Sequence, residues 1–456
     1  MIEMLHEDIL LEIFDFYRLN AIKRSRGRPW QWYPLARVCR RWRYVLTASP
    51  SRLGLQIFCK PRASIEHILD SWPTLPLVIR YKYPKSKSLP DNIISALRRP
   101  GRVREIDLVL PWSLLQSTIE MIQEPFQALE RIRLTAKNAV TRQPLLASEE
   151  LLGGSAPRLR EIKLDGIAFP FPTIRQLLSS AADNLVQLCL SNIPNTGYFT
   201  PDALVTSLST LTQLMELTID FNSPNSPPQS MARSPHQRVI LPCLSILSYH
   251  GASEYINEFV VQVDFPALTY IKIELFNAFI FHIPRFCQFI SRANALNSPT
   301  EVMLTPSSWL VTLLFIQQGE DRRVSGEFSL GVPCSQHLSM TGILSQLSPI
   351  LSGVDSISIK PYRIPYGGKE PLKDVDSTQW LDIFRPFTHV KKVHVFERLV
   401  PDIVDALTTQ DMATGVLPEL THLYLKGYRQ SPSVAKAAAQ FVAARRHSGR
   451  TISLFN

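Results

Sequence analysis

The sequence predicts an α/β protein, in which a short N-terminal helical module precedes an irregular solenoid with parallel strands on one side and helices on the other. Three observations point to this fold class: two apolar stripes with helical spacing in the first fifty residues, a six-residue apolar pattern that recurs afterwards, and amphipathic stretches between its copies. The composition agrees with a folded chain, because 45% of residues are hydrophobic and 19% are charged. The 35 prolines against 18 glycines favour short elements joined by stiff connections.

The first apolar stripe lies in the segment "LHEDILLEIFDFY" and predicts a helix. Glu7 and Asp8 come early in it, where the positive end of the helix macrodipole favours carboxylates. Spacings of three and four place the apolar residues on one face of the helix. These residues are Leu5, Ile9, Leu10, Ile13, Phe14 and Tyr17.

The second apolar stripe lies in "PLARVCRRWRYVL" and predicts one amphipathic helix from Pro34 to Leu46. A polar, basic loop at about 20–33 precedes it, and a third short element is expected from Tyr44 to Ala48. About fifty residues bury two such stripes poorly, so either the rest of the chain or another protein completes the module. The second stripe consists of Leu35, Val38, Cys39, Trp42 and Val45.

Together the two segments resemble an F-box, the helical motif that docks onto the Skp-type adaptor of cullin–RING ubiquitin ligases. The motif opens Leu-Pro-x-Asp/Glu, continues into an apolar "LLEIF" helix and ends on "VCRRWR". Two departures are visible: His6 stands where proline is usual, and the loop before the second segment is longer and carries a basic run. The longer loop resembles the F-box proteins that spread in mushroom-forming fungi. The matching positions are Leu5, Asp8, Leu11, Ile13, Phe14, Val38, Cys39, Arg41 and Trp42.

The resemblance implies that residues 1–50 bind a Skp-type adaptor and, through it, a cullin. Arginines beside the second stripe would add attraction to an acidic adaptor surface. The alternative is that the same apolar residues pack on the rest of the chain and cap it. The residues expected to contact the adaptor are Leu5, Ile9, Leu10, Ile13, Phe14, Leu35, Val38, Cys39 and Trp42.

A six-residue pattern with apolar first, fourth and sixth positions recurs through residues 51–456. Its last two apolar positions alternate with polar ones, as in a strand with one buried face. Clear copies begin at residues 103, 129, 159, 185, 214, 244, 268, 354, 390 and 420, degenerate copies begin at 299 and 325, and weaker ones begin at 52 and 74.

The intervals between copies predict a repeat architecture. Amphipathic stretches with helical spacing lie between the copies, with candidate N-caps at Ser113 and Thr200. Strand then helix every 24 to 36 residues resembles leucine-rich repeats, although only Asn222 occupies the position of their usual asparagine. The coils are therefore expected to be irregular, and a mixed α/β globule is the structural alternative. Loop insertions are expected near 221–238 and 360–374, and a closing helix and strand at the C-terminus.

The charge and cysteine patterns argue against several classes of function. The net charge of +10 is spread along the chain, whereas nucleic-acid binding favours a concentrated basic face with interleaved aromatic residues. The densest basic cluster, Lys23–Arg28, is compatible with a solvated loop, nuclear import, an acidic partner or nucleic acid. The six cysteines lie far apart without metal-ligand spacing, which indicates reduced, buried thiols. Neither a secretory signal nor an apolar run of about 20 residues is present, so we expect a cytoplasmic or nuclear protein without membrane contact.

No common catalytic or cofactor-binding motif occurs in the sequence. We therefore expect no catalysis, no cofactor and no metal. The leading hypothesis is a substrate-recognition adaptor that presents an unidentified protein to a ubiquitin ligase, and the alternative is a repeat scaffold without a ligase role. The residues expected to face the substrate vary without a theme: Arg131, Arg133, Arg160, Lys163, Gln187, Glu216, Thr218 and Lys272.

Overall fold

The computed structural model forms two compact units, Met1–Tyr198 and Phe199–Asn456. The residues that it describes are 5–24, 33–49, 53, 55–59, 69–70, 72, 74–82, 88–137, 151–222, 238–276, 284–307, 310–319, 324–333, 340–361, 377–396, 399–409, 415–427, 432–447 and 449–455. Most of both predicted loop insertions, near 221–238 and 360–374, lies outside these residues, as do Cys334 and residues 25–28 of the basic cluster.

Three helices begin the first unit: α1 (Glu7–Arg24), α2 (Tyr33–Ala36) and α3 (Arg40–Ala48). The first predicted helix is confirmed, and it continues into the stretch predicted to be a loop. The prediction of one continuous helix from Pro34 to Leu46 is wrong. The helical path breaks at Cys39, whose backbone is extended and whose Sγ accepts a hydrogen bond from the Trp42 N–H at 3.4 Å. Cys39 therefore caps α3 instead of lying inside a helix.

The strands described in the first unit pair in parallel and in chain order. Their register brings equivalent apolar positions side by side, so that Ile132 lies beside Ile162, which lies beside Leu188. All three side chains are buried, as alternation along a strand with one covered face requires. The strands are β1 (Ile57–Cys59), β2 (Leu77–Lys82), β3 (Val103–Pro111), β4 (Arg131–Lys137), β5 (Glu161–Asp165) and β6 (Gln187–Ile193).

Short helices connect several of these strands: α4 (Asp91–Leu97), α5 (Trp112–Met121) and α6 (Phe171–Ser180), with single 3-10 turns at 100–102, 151–154 and 195–197. The predicted N-cap at Ser113 is wrong. Helix α5 begins directly after Pro111, which occupies the N-cap position without a side-chain hydrogen bond, so Ser113 lies within the first turn.

The second unit contains a sheet of ten strands among the residues described. Its order is β7-β9-β11-β14-β13-β12-β15-β16-β17-β18, and β8 pairs separately with β10. The strands are β7 (Glu216–Phe221), β8 (Val239–Ile240), β9 (Ile246–Gly251), β10 (Val263–Asp264), β11 (Tyr270–Leu275), β12 (Glu301–Pro306), β13 (Leu310–Gln318), β14 (Val324–Pro333), β15 (Ser356–Ile359), β16 (Lys392–Phe396), β17 (His422–Lys426) and β18 (Ser453–Phe455).

An antiparallel meander of β12, β13 and β14 interrupts the otherwise parallel order of this sheet. The sequence predicts strands at 299 and 325 but places them in chain order and omits β13, and this part of the prediction is wrong. Connections of three and five residues join the meander strands, which is too short for the crossover that parallel neighbours require. The first turn is closed by Ser307, whose hydroxyl accepts the Leu310 N–H at 2.9 Å.

Three helices of the second unit, at 201–208, 253–261 and 432–447, follow amphipathic stretches predicted from the sequence. Thr200 is confirmed as an N-cap, because its hydroxyl accepts the Ala203 N–H at 3.3 Å. The predicted closing helix and strand are also confirmed, at Pro432–His447 and Ser453–Phe455. The helices are α7 (Pro201–Leu208), α8 (Ser253–Val261), α9 (Pro284–Arg292), α10 (Met340–Gln346), α11 (Ser348–Leu351), α12 (Ser377–Phe384), α13 (Val400–Thr409) and α14 (Pro432–His447).

Backbone hydrogen bonds also join successive coils at the start of several strands. The carbonyl of Glu130 accepts the N–H groups of Arg160 and Glu161, and the carbonyl of Arg160 accepts those of Val186 and Gln187, at 2.8–3.1 Å. In the second unit the Ser245 carbonyl accepts two N–H groups of the next coil in the same way. The mixed α/β class with mostly parallel strands is thus confirmed.

Candidate protein-interaction surfaces

The three N-terminal helices are fastened to one another through α1 and α3. Phe14 is 1% exposed and meets Trp42 edge to face, with ring centroids 4.9 Å apart. The guanidinium of Arg41 donates a hydrogen bond to the carbonyl of Leu5, two residues before α1 begins. Aromatic contacts of this kind contribute about 0.5–1.5 kcal/mol beyond burial, so the helical pair has a defined arrangement before any partner binds.

A second apolar stripe of α1 faces away from that contact. It consists of Ile9, Ile13, Phe16 and Tyr17, which are 48%, 41%, 71% and 40% exposed. Spacings of four, three and one residues put these side chains on one side of the helix. We call these four residues the exposed stripe.

Helix α1 therefore has three faces. Leu10, Leu11 and Phe14 are buried, the exposed stripe lies beside them, and Asp8 and Glu12 occupy the remaining, polar side. The buried face and the exposed stripe together cover more than half of the circumference, whereas a surface helix needs an apolar arc of only about 100°. The excess apolar surface is what a second binding partner would cover.

The structure divides the nine residues predicted to contact an adaptor into three groups. Ile9, Ile13, Val38 and Cys39 are exposed, and Leu5 and Trp42 are partly exposed. Leu10, Phe14 and Leu35 are buried within this chain, where they hold the helices together. The set that can meet a partner in this arrangement is therefore smaller than predicted and gains Phe16 and Tyr17.

Cys39 also departs from the prediction that the cysteines are buried. As the N-cap of α3 it is exposed, whereas Cys59 is buried and Cys189, Cys243 and Cys287 are partly buried. Burial raises the pKa of the Cys59 thiol to about 12 and that of Cys287 to about 11. Neither is a nucleophile near neutral pH.

An alternation of acids and bases crosses the solvent-facing side of β2–β5. Glu105 lies beside Arg131 in the next strand, and Arg131 lies beside Glu161. Glu105 is 2% exposed and accepts two hydrogen bonds from Arg80, at 2.5 and 3.0 Å. Glu161 accepts two from Arg133, at 2.6 and 2.9 Å.

The negative charge of Glu161 in this row of acids and bases is stabilised by the basic side chains around it. Burial alone would raise the pKa of Glu161, but the hydrogen bonds and charge of Arg133, with Lys163, outweigh burial and leave the pKa below its ordinary value. The Glu161 carboxylate is therefore ionised and bound by Arg133 at neutral pH. In the sequence Arg131, Arg133 and Lys163 show no common pattern. The strand register shows that all three lie beside Glu161.

A shallow cavity of about 530 Å³ opens beside this row, and its lining alternates acids and bases. The residues that line it are Arg104, Glu130, Arg131, Arg160, Glu161, Val186 and Gln187. The two carboxylates of this lining, Glu130 and Glu161, lie among arginines and pair with Arg104 and Arg133.

Among the residues that the structure describes, no group of three or more His, Cys, Asp or Glu side chains is arranged to hold a metal ion. Within the same ranges, no helix has both the length and the apolar character that crossing a bilayer would take.

Comparison with known proteins gives little further guidance. No protein-family model matches the chain, and no curated protein matches it. Among solved structures, the leucine-rich repeat-containing protein LegL7 from Legionella pneumophila is similar, at 11% sequence identity and a TM-score of 0.28 over 88% of this chain and 99% of that chain. A likeness this weak carries no argument about function, so the F-box resemblance depends on residues 1–50 alone.

Proposed function

We propose that this protein is a non-catalytic substrate-recognition adaptor of a Skp–cullin–F-box type ubiquitin ligase. The observation that carries the proposal is the exposed stripe, Ile9, Ile13, Phe16 and Tyr17, on a helix whose other apolar face is already buried. The F-box resemblance of the same segment supplies the identity of the partner, a Skp-type adaptor that links to a cullin.

The exposed stripe is large enough to support such binding. Its four side chains are on average about half exposed, so docking would remove the equivalent of two large apolar side chains from water. At about 1.5–3 kcal/mol for each, the gross gain is about 3–6 kcal/mol. Val38 and Tyr44, which are 57% and 65% exposed, would add to the contact if the partner reaches α3 and the turn that precedes it.

The strand–helix coils that follow residues 1–50 would present the substrate. We interpret them as an irregular leucine-rich-repeat-like solenoid, a scaffold that offers an extended surface for protein binding. The arrangement divides the work between two surfaces, one for the adaptor and one for the substrate, and neither requires a cofactor. The protein would act in the cytoplasm, the nucleus or both.

Co-purification tests the proposal directly. The full chain and a variant lacking residues 1–49 are each mixed with a purified Skp-type adaptor and a cullin N-terminal domain, and complexes are separated by size. The full chain should co-elute with both proteins, and the deletion variant should elute alone. Failure of the full chain to bind the adaptor would refute the proposal.

The same deletion separates the proposal from the rival function, a repeat scaffold capped by its N-terminal helices. A receptor should keep a cooperatively folding strand–helix region when residues 1–49 are removed, as measured by circular dichroism during urea unfolding. A capped scaffold should lose several kcal/mol of stability on losing its cap, because terminal repeats expose apolar surface without one.

A further inference from the structure

The last three strands of the second unit, β16–β18, carry a row of stacked rings on their solvent-facing side. The strand register aligns His394, Tyr424 and Phe455. The His394 and Tyr424 rings are 4.2 Å apart at 10°, and the Tyr424 and Phe455 rings are 4.7 Å apart at 14°. Because the alternate residues Val393 and Leu423 are buried, the row lies on the opposite, open face of the sheet.

Three lysines stand on the same face. The ammonium groups of Lys360 and Lys426 lie 5.1 and 5.4 Å from the centre of the Phe396 ring. Both lysines therefore make cation–π contacts with the same phenylalanine. Lys392 is two residues before His394 on β16 and shares its face, because Val393 between them is buried. Lys392 and Lys426 are exposed, and Lys360 is partly exposed.

Little negative charge balances these lysines. Within the described strands β12 and β15–β18, the acidic residue is Glu301, which accepts a hydrogen bond from the Ser358 hydroxyl at 3.2 Å. Asp355, just before β15, pairs with Lys391 at 3.0 Å. The open face therefore carries a surplus of positive charge.

The pKa of His394, which lies on the same face, is affected by these lysines as well as by burial. Burial, followed by the charges of Lys426, Lys392 and Lys360, lowers the pKa of His394 to about 4. The imidazole is thus neutral at pH 7 and takes no proton beside three cations.

We propose that this surface binds an acidic polypeptide segment. The argument is charge complementarity combined with ring orientation. Neighbouring rings cover both faces of Tyr424, so the row presents ring edges, which carry partial positive charge, between lysine ammonium groups. Carboxylates match both features. The surface, which we call the lysine–aromatic face, consists of Lys360, Lys392, Lys426, Phe396, Tyr424 and Phe455.

Ring orientation also favours a polypeptide over single-stranded nucleic acid. Sequence-tolerant binding of nucleic acid uses ring faces on which bases stack. In this row His394 and Phe455 cover both faces of Tyr424, so the central ring offers no face on which a base could stack. Binding of an oligonucleotide through these residues is the outcome that would replace the proposal.

Fluorescence anisotropy with the full chain tests the inference without an adaptor, so its result does not depend on the ubiquitin-ligase proposal. The probes are a fluorescein-labelled peptide of about twelve alternating Glu and Ala residues, its Gln–Ala counterpart, and an oligothymidine of the same length. The test variant is Lys360→Gln/Lys392→Gln/Lys426→Gln. The matched control, Arg285→Gln/Lys436→Gln/Arg446→Gln, removes the same charge from exposed positions on α9 and α14.

The Glu–Ala peptide should bind the natural chain and the control variant within about two-fold of each other, and the test variant about ten-fold more weakly. The Gln–Ala peptide should not bind. Equal weakening of both variants, or selective loss of oligothymidine binding instead of peptide binding, would overturn the proposal.

Charge reversal keeps the test decisive if glutamine disturbs the surface. Lys360→Glu/Lys392→Glu/Lys426→Glu should lose the Glu–Ala peptide and gain a Lys–Ala peptide, with the thermal unfolding midpoint recorded for each variant. A folded reversal variant that still prefers the acidic peptide would contradict the inference.

Discussion

Truncating side chains of the exposed stripe, with the buried face of α1 left intact, tests quantitatively whether this stripe binds the adaptor. In Ile9→Ala/Ile13→Ala, both altered residues lie in the part of α1 that faces solvent, at 48% and 41% exposure. Docking would therefore remove from water a little less than one whole isoleucine side chain through these two positions. At about 1.5–3 kcal/mol for a fully buried side chain, adaptor binding should weaken by about 1–2 kcal/mol, or about five- to thirty-fold in Kd.

The stability of the free chain should respond in the opposite pattern. Ile9 and Ile13 are about half buried in the free chain, so the double variant should lose about 1 kcal/mol of its free energy of unfolding, because the higher helix propensity of alanine only partly offsets the lost burial. Phe14→Ala, on the buried face, should lose about 3–5 kcal/mol, because it opens a cavity and removes the edge-to-face contact with Trp42. Isothermal titration with the adaptor and urea unfolding measure the two quantities. Unchanged adaptor affinity in the double variant would refute the assignment of the exposed stripe as the docking surface.

Two further predictions concern the second unit. Arg445→Ala should reduce the free energy of unfolding, measured in urea, by about 2–3 kcal/mol, because this buried guanidinium donates hydrogen bonds to the carbonyls of Val416 and Leu417. The control variant Arg446→Ala, at the exposed neighbouring position, should change the free energy of unfolding by less than about 0.5 kcal/mol. Equal effects of the two variants would contradict the role of Arg445. His394 should titrate by NMR at about pH 4, and Lys426→Gln should raise its pKa. A lowered pKa means that the folded chain binds fewer protons than the unfolded chain. The stability contributed by neutral His394 should therefore be lost as the pH falls from about 6.5 to about 4. A titration midpoint near 6.5 would contradict this account.

The strands were largely predictable, because their signal is local. Alternation of buried and open positions is written into each six-residue copy, as in Leu159, Ile162 and Leu164, and these side chains are buried. The order of strands was less accessible, since β13 begins only 11 residues after the copy at 299, far short of the repeat interval, and its placement depends on turn lengths. A turn closed by Ser307 forces an antiparallel neighbour, and that neighbour in turn places β14 beside β11.

The N-terminal module shows what periodicity alone leaves open. Helical spacing identified Ile9, Leu10, Ile13 and Phe14 as apolar but merged two faces into one stripe, because neither spacing nor composition states which face packs on α3. Phe16 was missed for the same reason: it belongs to the outer face, which the inner residues obscure. The break at Cys39 was hidden because its neighbours continue the helical spacing through an extended residue.

The lysine–aromatic face was also invisible in the sequence. Lys360, Phe396 and Lys426 are separated by about thirty residues or more, and only the parallel register places them side by side. The sequence does show that each of these residues occupies an outward position of its strand. The cluster becomes visible when residues at equivalent positions of successive repeats are compared with one another, instead of residues that are neighbours along the chain.

Side-chain footprinting with hydroxyl radicals tests the central claim most directly, because it reads the solvent exposure of the docking residues themselves. Phe16, 71% exposed, and Tyr17 should be oxidised readily in the free chain and several-fold more slowly when the Skp-type adaptor is present at saturation. Met215, 49% exposed and in the second unit, serves as the internal control and should be oxidised equally in both samples. Undiminished oxidation of Phe16 and Tyr17 in the presence of bound adaptor would contradict the account.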